Sequence, residues 1–315
     1  MRMVREDVGV VMKISRIHVG VGTQIGPLTV MPVWWAVDPN PGLVTGRQAD
    51  VVVNECADGP EVAQLVVTNR GAAPALLLEG ELLEGGYQDR ALVSDLVLAS
   101  GQTVNAPVVC VERGRWSGVD GHRRSMRRTS VGIRTALRDN HGGQRQSRVW
   151  SRVEEYDRRL GASPTSALVD HLSGQGENTW AFDPESPFER AVDMLNGLQT
   201  LPGQQGVMVG VAGYPVLLEA FADPAGLTEH LRGALVGVLL DAAMLDIPWV
   251  ATPGRRARRF AEQLSGVSLT GDSDRLGAAH SWVHQQRSLT ATVTVMDQRA
   301  VHVTAVRTDH PLVQV

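Results

Sequence analysis

The sequence predicts an α+β protein: an N-terminal antiparallel β-sandwich, a helical connection, and a C-terminal α+β part with two β-hairpins. Three observations carry this. Short β-branched runs separated by turn residues fill the first 112 positions, helical periods begin only after an arginine-rich stretch, and beyond it strands and helices are grouped rather than alternating. The 315 residues suit roughly two domains. The expected division is 1–116 for a sandwich-like domain, 117–143 for an Arg/Gly-rich loop and 144–315 for a helical and α+β domain.

The strand runs are Leu28 to Ala36, Val51 to Glu55, Val62 to Thr68, Ala75 to Leu83, Ala91 to Leu98 and Thr103 to Glu112. Pro39-Asn40-Pro41-Gly42, Asp58-Gly59-Pro60, Asn69-Arg70-Gly71, Gly85-Gly86 and Ser100-Gly101 punctuate them. Six short strands at this spacing argue a sandwich or barrel and against a parallel sheet. Residues 123–143 are rich in glycine and charge, which predicts a flexible or ligand-ordered lid with at most one short helix near Ser130 to Arg138. Val149, Val153, Tyr156 and Leu160 lay an apolar stripe along a helix from about Gln144. Ser163-Pro164 and Ser186-Pro187 mark two further helix starts, since serine caps orphan amides and proline suits the first turn. Asp223-Pro224 opens a long helix to about Leu245, and Pro253 precedes another. The hairpins are Val207 to Val211 with Pro215 to Phe221, and Ala291 to Val295 with Ala300 to Val306.

Composition narrows the function classes. With 43% hydrophobic and 20% charged residues, long disorder is excluded. Cys56 and Cys110 form no C-x-x-C pair, so neither a disulfide framework nor a zinc knuckle is implied, and a reducing cytoplasm is expected. No signal peptide is expected, because Arg2, Arg5, Lys13 and Arg16 interrupt the first apolar runs. No apolar stretch approaches the roughly 20 residues a membrane helix needs. Between Arg113 and Arg159 there are 13 arginines against five acids, within a chain of net charge −4. The densest part of that stretch, Arg123, Arg124, Arg127 and Arg128, has no interleaved aromatics, so a nucleic-acid partner is not expected. There is no G-x-S-x-G elbow and no Walker A motif, and Gly20-Val21-Gly22 leads into a strand rather than a helix, unlike a dinucleotide fingerprint. His280 and His284 have metal-ligand spacing on a helix but no third partner, so no metal site is assigned.

Two polar blocks remain. Leu78-Glu79-Gly80-Glu81-Leu82-Leu83-Glu84-Gly85-Gly86-Tyr87-Gln88-Asp89-Arg90 concentrates acids around a double-glycine turn. In an extended strand Glu79 and Glu81 share a face, so two carboxylates could divide acid and base roles or simply form a solvated sheet face. One strand later, Cys110-Val111-Glu112-Arg113-Gly114-Arg115-Trp116 ends an apolar run. Guanidinium forks beside an indole suit a phosphorylated, base-containing small molecule; a salt-bridged strand end is the alternative. Gly114 implies an open loop in which Arg115 binds ligand without supporting the fold.

Taken together, Leu76-Leu77-Leu78-Glu79-Gly80-Glu81, Gly85-Gly86-Tyr87-Gln88-Asp89-Arg90 and Val109-Cys110-Val111-Glu112-Arg113-Gly114-Arg115-Trp116 resemble a bacterial family named for its association with ADP-ribosylglycohydrolases and rhodanese-phosphatase proteins. Val149-Trp150, Ser163-Pro164-Thr165 and the hairpin before Asp223-Pro224 extend the likeness from about Leu28 onward. The family usually has asparagine where this chain has Asp89. The resemblance implies binding or processing of an NAD-derived nucleotide of the ADP-ribose type, with no cofactor specified. On that reading Glu79, Glu81 and Glu112 are the candidate acid/base residues of a hydrolase acting on an N-glycosidic or phosphoester bond. Gln88, Arg90, Arg113, Arg115 and Trp116 are the candidate nucleotide contacts. The alternative is a non-enzymatic scaffold, with the hairpins as subunit surfaces of a homo-oligomer. A shared site requires Glu79, Glu81, Gln88, Arg90, Glu112 and Arg115 to converge.

Overall fold

Local chemistry places most elements. Asp223 accepts from the Ala225 amide at 2.9 Å and Pro224 needs no donor in the first turn, so the helix Pro224–Ala243 starts where the chain caps it. The Arg145–Leu160 helix buries Val149, Val153, Tyr156 and Leu160 along one stripe. Gly206–Val211 pairs with Tyr214–Phe221 across Ala212 and Gly213, and Leu289–Met296 with Arg299–Val306 across Asp297 and Gln298. All four turn residues have positive φ, the two-residue geometry that matches strand twist.

The computed structural model describes residues 12–38, 42–138, 143–173, 187–269 and 273–314. It is mixed α+β, with antiparallel pairing in every sheet except for one short parallel contact between Val44–Thr45 and Ala75–Leu77. A nine-stranded sheet runs through Asp274–Leu276, Ala279–Gln286, Leu289–Met296, Arg299–Val306, Tyr214–Phe221, Gly206–Val211, Leu28–Trp35 and Ile17–Val19, with Thr23–Ile25 also on Leu28–Trp35. It therefore draws strands from both sides of the 1–116 and 144–315 division. Among the described residues no helix is long and apolar enough to cross a membrane.

Six other strands close into a barrel rather than a sandwich, in the order Arg90–Leu92, Thr103–Cys110, Gln64–Asn69, Val51–Asn54, His122–Arg128, Glu81–Gly85, while Val44–Thr45, Ala75–Leu77 and Leu96–Leu98 form a separate three-stranded sheet. Closure comes from pairing Leu83 with Arg90 on one side and His122 with Gly85 on the other. The expected Arg/Gly-rich loop at 117–143 thus contributes a barrel strand, followed by a helix at Val131–Leu137 capped by Ser130. Its arginines did not read as a strand because their partners are distant: Arg124 pairs with Glu81, Arg123 and Arg127 with Glu84, and Arg128 with Glu219. Residues 139–142 of the expected lid lie outside the described residues. The short helix expected at Ser163-Pro164 begins instead at Leu168, after a turn in which Ser163 Oγ accepts from Ala167.

Barrel and sheet meet over the Pro224–Ala243 helix and a buried polar seam. Gly233 and Gly237 let the helix approach the barrel strand closely, since a Cβ on either would stand 2.6 Å from Met126 O and 2.7 Å from Thr129 O. In the seam, Glu219 of the sheet takes Arg128 at 2.8 Å and Arg134 at 3.4 Å. His302 joins Glu219 at 3.2 Å to Asp95 at 2.6 Å, and Asp95 also accepts from Thr294 and the Glu79 amide. Burial disfavours the charged imidazole, yet the two carboxylates outweigh it and raise His302 to about 9. Asp95 is correspondingly held far below its ordinary value despite its burial.

Because the folded pKa of His302 lies above its unfolded one, its stabilisation is complete below about pH 6.5 and is lost as pH rises through about 9. Urea midpoints should therefore fall between pH 7 and 9.5. In His302→Gln that fall should flatten, and a wild-type profile without it would contradict a charged His302.

Candidate functional site

At one end of the barrel the strand Arg90–Leu92 pairs with Thr103–Cys110, Arg90 opposite Cys110, and this register brings the two polar blocks together. The Asp89 amide donates to Glu112 Oε2 at 2.9 Å and the Val111 amide to Asp89 O at 3.0 Å. Gln88, Asp89, Arg90, Glu112, Arg115 and Trp116 form one cluster, joined by Tyr87, Glu55 and His122. The double-glycine turn is packed, since a Cβ on Gly86 (φ +52°) would overlap the His122 ring. Tyr87 N donates to Glu55 Oε1 at 3.0 Å, and His122 Nε2 lies 3.1 Å from that oxygen.

Two arginines in this cluster have opposite character. Arg115 is saturated: it grips both Glu112 oxygens at 2.8 and 2.6 Å, donates to the carbonyls of Gly85, Gly86 and Ser117, and reaches Asp89 at 3.4 Å. Gly114 is not an open hinge, because a Cβ there would stand 2.9 Å from Thr165 O. Arg115 is a strap across the strand end, which corrects the expectation of a free loop arginine.

Arg90 is the reverse. It is fully buried, with 0% of its surface exposed, and bonds only through Nη1, to Gln88 Oε1 at 3.1 Å. Its Nε and Nη2 have no acceptor. Its guanidinium sits 5.7 Å from the ring centre of Trp116, which is 49% exposed and tilts against Tyr87 at 5.9 Å. Burial depresses the Arg90 pKa, partly offset by Cys110 and Glu55.

Burial raises Asp89 to about 6, with Glu112 adding to the rise and the Gly85 amide and Arg115 opposing it. Burial would also raise Glu112, but bonds from Arg115 and the Asp89 amide hold it below its ordinary value. Cys110 is buried, its thiol donating to Glu112 O, and desolvation pushes its pKa up, which fits a packed strand residue better than a nucleophile.

Glu79 and Glu81 do not join this cluster. The run Ala75 to Leu83 is two strands, broken by a turn in which Glu81 N bonds Leu78 O and Gly80 (φ +75°) packs on Thr129. The shared face of an unbroken strand is lost, and each carboxylate meets its own arginine. Glu81 bonds Arg124 at 2.7 Å and the Leu78 amide, which overcome its burial and lower its pKa. Glu79 is held by Arg134 at 3.3 Å and Arg138 at 2.9 Å. Arg113 is half-exposed, paired with Glu154 and lying 5.5 Å over Trp150, on the rim rather than in the cluster. His280 and His284 lie on a strand, and the described residues contain no group of three or more metal-ligating side chains. Glu55 and His122 carried no signal in the sequence: Glu55 lies 23 positions before the first block, and His122, six positions after Trp116, stands in the arginine-rich stretch read as a loop.

The chain matches no curated protein and no solved structure. The family described as the ARG and Rhodanese-Phosphatase-superfamily-associated Protein domain matches residues 16–306, which takes in the barrel, the polar seam and the whole of the long sheet. The chain belongs to that family.

Proposed function

We propose that this protein binds an NAD-derived nucleotide of the ADP-ribose type at the barrel end formed by Tyr87, Gln88, Asp89, Arg90, Glu112 and Trp116. The observation that carries this reading is Arg90, a buried cation without a carboxylate partner under a half-exposed indole. Buried donors are almost always satisfied, and unmatched groups concentrate where a ligand supplies the acceptor. In this reading a phosphate oxygen takes the free Arg90 N–H groups, Trp116 and Tyr87 stack a base, and Gln88 bonds a ribose or base edge. Arg115 and Glu112 hold the strand end in shape, and Arg113 stands at the rim. The family's named association with ADP-ribosylglycohydrolase-type proteins suits this ligand class, and two free cysteines suit a cytoplasmic setting.

Binding is favoured over hydrolysis. Glu79, Glu81 and Glu112 are each committed to arginine, so none is free as a base. If the site also processes its ligand, Asp89 is the group to exchange the proton, because its raised pKa lies near the operating range.

Calorimetric titration with ADP-ribose should show saturable binding. Trp116→Ala should weaken it by roughly 5- to 150-fold, the worth of about 1 to 3 kcal/mol of base stacking. Arg90→Met should abolish binding while leaving the free protein as stable or more so, because removing an uncompensated buried charge relieves desolvation. A stable Arg90→Met variant with unchanged affinity would sink the assignment. Asp89 predicts a pH effect: as pH falls through about 6 its carboxylate is neutralised, repulsion of the pyrophosphate ends and affinity should rise. Asp89→Asn should bind tightly at all pH values and lose that dependence. Arg115→Ala should instead destabilise the fold by about 1.5 to 3 kcal/mol by stranding Glu112, read as a lower urea midpoint.

A further inference from the structure

A separate cavity of about 260 Å³ lies between the barrel and the outer strands of the long sheet. Its walls come from the barrel side (Glu79, Ser94, Asp95, Pro107), the end of the Val131–Leu137 helix (Arg138), and the sheet (Asp274, Arg275, Ser281, Thr292). Neither its position nor its residues coincide with the Arg90 cluster. One strand carries both Pro107 and Cys110, three residues and so about 10 Å apart.

Two groups point to an occupant. Thr292 is 7% exposed and its hydroxyl has no partner. The Arg138 side chain is also 7% exposed; its Nε is held by Glu79, but its Nη2 is unmatched. Both residues line the same cavity. The two buried acids in the wall are already matched, Glu79 by Arg134 and Arg138, and Asp95 by His302, Thr294 and the Glu79 amide. The seam behind the wall holds Arg128, Arg134, Arg138 and charged His302 against Glu79, Asp95 and Glu219, one more positive charge than negative. An anion at Arg138 would balance it.

We infer that this cavity is a second ligand site, for a phosphomonoester of a small polyhydroxylated molecule. The phosphate would accept from Arg138 Nη2 and Thr292 Oγ1, and Ser94, Ser281 and Asp274 would meet hydroxyl groups. The volume falls below the roughly 300 to 1,000 Å³ of sites for drug-sized ligands, which suits a sugar phosphate rather than a dinucleotide. This site does not depend on the nucleotide reading of the barrel end.

Ribose 5-phosphate, titrated against the full chain by thermal shift and calorimetry, is the probe, with inorganic phosphate as comparator. Saturable stabilisation is expected. Arg138→Gln should weaken it by roughly 10- to 150-fold, the loss of one charge-assisted contact, and Thr292→Val should weaken it several-fold. Thr292→Val removes an unbonded hydroxyl at nearly constant volume, so it keeps the test decisive if Arg138→Gln does not fold. Trp116→Ala should leave this binding unchanged while impairing that of ADP-ribose. No saturable response, equal binding of inorganic phosphate and ribose 5-phosphate, or full affinity in Thr292→Val would each overturn the inference.

Discussion

The joining of barrel to sheet depends on a buried set of charges that must be present together. Arg128, Arg134, Glu219, His302, Asp95 and Glu79 come from a barrel strand, the adjoining helix, two strands of the long sheet and the turns before Glu81–Gly85 and Leu96–Leu98, and all are buried. Removing such groups from water is expensive, and their mutual attraction repays it only when every partner is in place. A misregistered sheet would leave Glu219 or His302 facing an empty wall, so the seam specifies one docking geometry more sharply than apolar packing would. The same requirement couples folding of the two halves, because neither can bury its share of the charges alone. It also explains why the helix Pro224–Ala243 carries Gly233 and Gly237: the barrel strand must come close enough for Arg128 to reach across.

What the sequence made legible was what is encoded locally. The hairpins, the Asp223-Pro224 helix start and the amphipathic Arg145–Leu160 helix depend on residues a few positions apart, and they stand where the pattern put them. Barrel closure does not. The strand His122–Arg128 has four arginines in seven residues and almost no apolar alternation, so read alone it is a solvated loop. Its carboxylates lie some 40 to 90 positions away, and a strand whose charges are neutralised by a neighbouring barrel strand and by the long sheet has no one-dimensional signature.

The candidate site shows the same division. Gln88 to Arg90 and Glu112 to Trp116 converge because neighbouring antiparallel strands carry them, an arrangement that the two apolar runs already implied. Glu79 and Glu81 part because Gly80 adopts a left-handed turn, and a glycine within a strand-like run does not announce whether it bends the chain. The identity of the blocks was therefore visible, whereas the pairing of each carboxylate with its own arginine was not.

Arginine content alone could not rank these residues either, since Arg90, Arg115 and Arg124 look alike in a chain whose only lysine is Lys13. The difference is saturation. Arg124, Arg128 and Arg138 each leave an N–H unmatched, but each also holds a carboxylate. Arg115 has matched its donors many times over. Arg90 alone of these five has neither a carboxylate partner nor a full set of acceptors, and it is covered by the one indole of the cluster. A fold selected only for stability would replace such a group with an apolar side chain of similar size, at no loss of packing and with relief of desolvation. Its presence at a strand end beside Gln88 and Trp116 is the physical reason for the nucleotide site proposed at that end of the barrel.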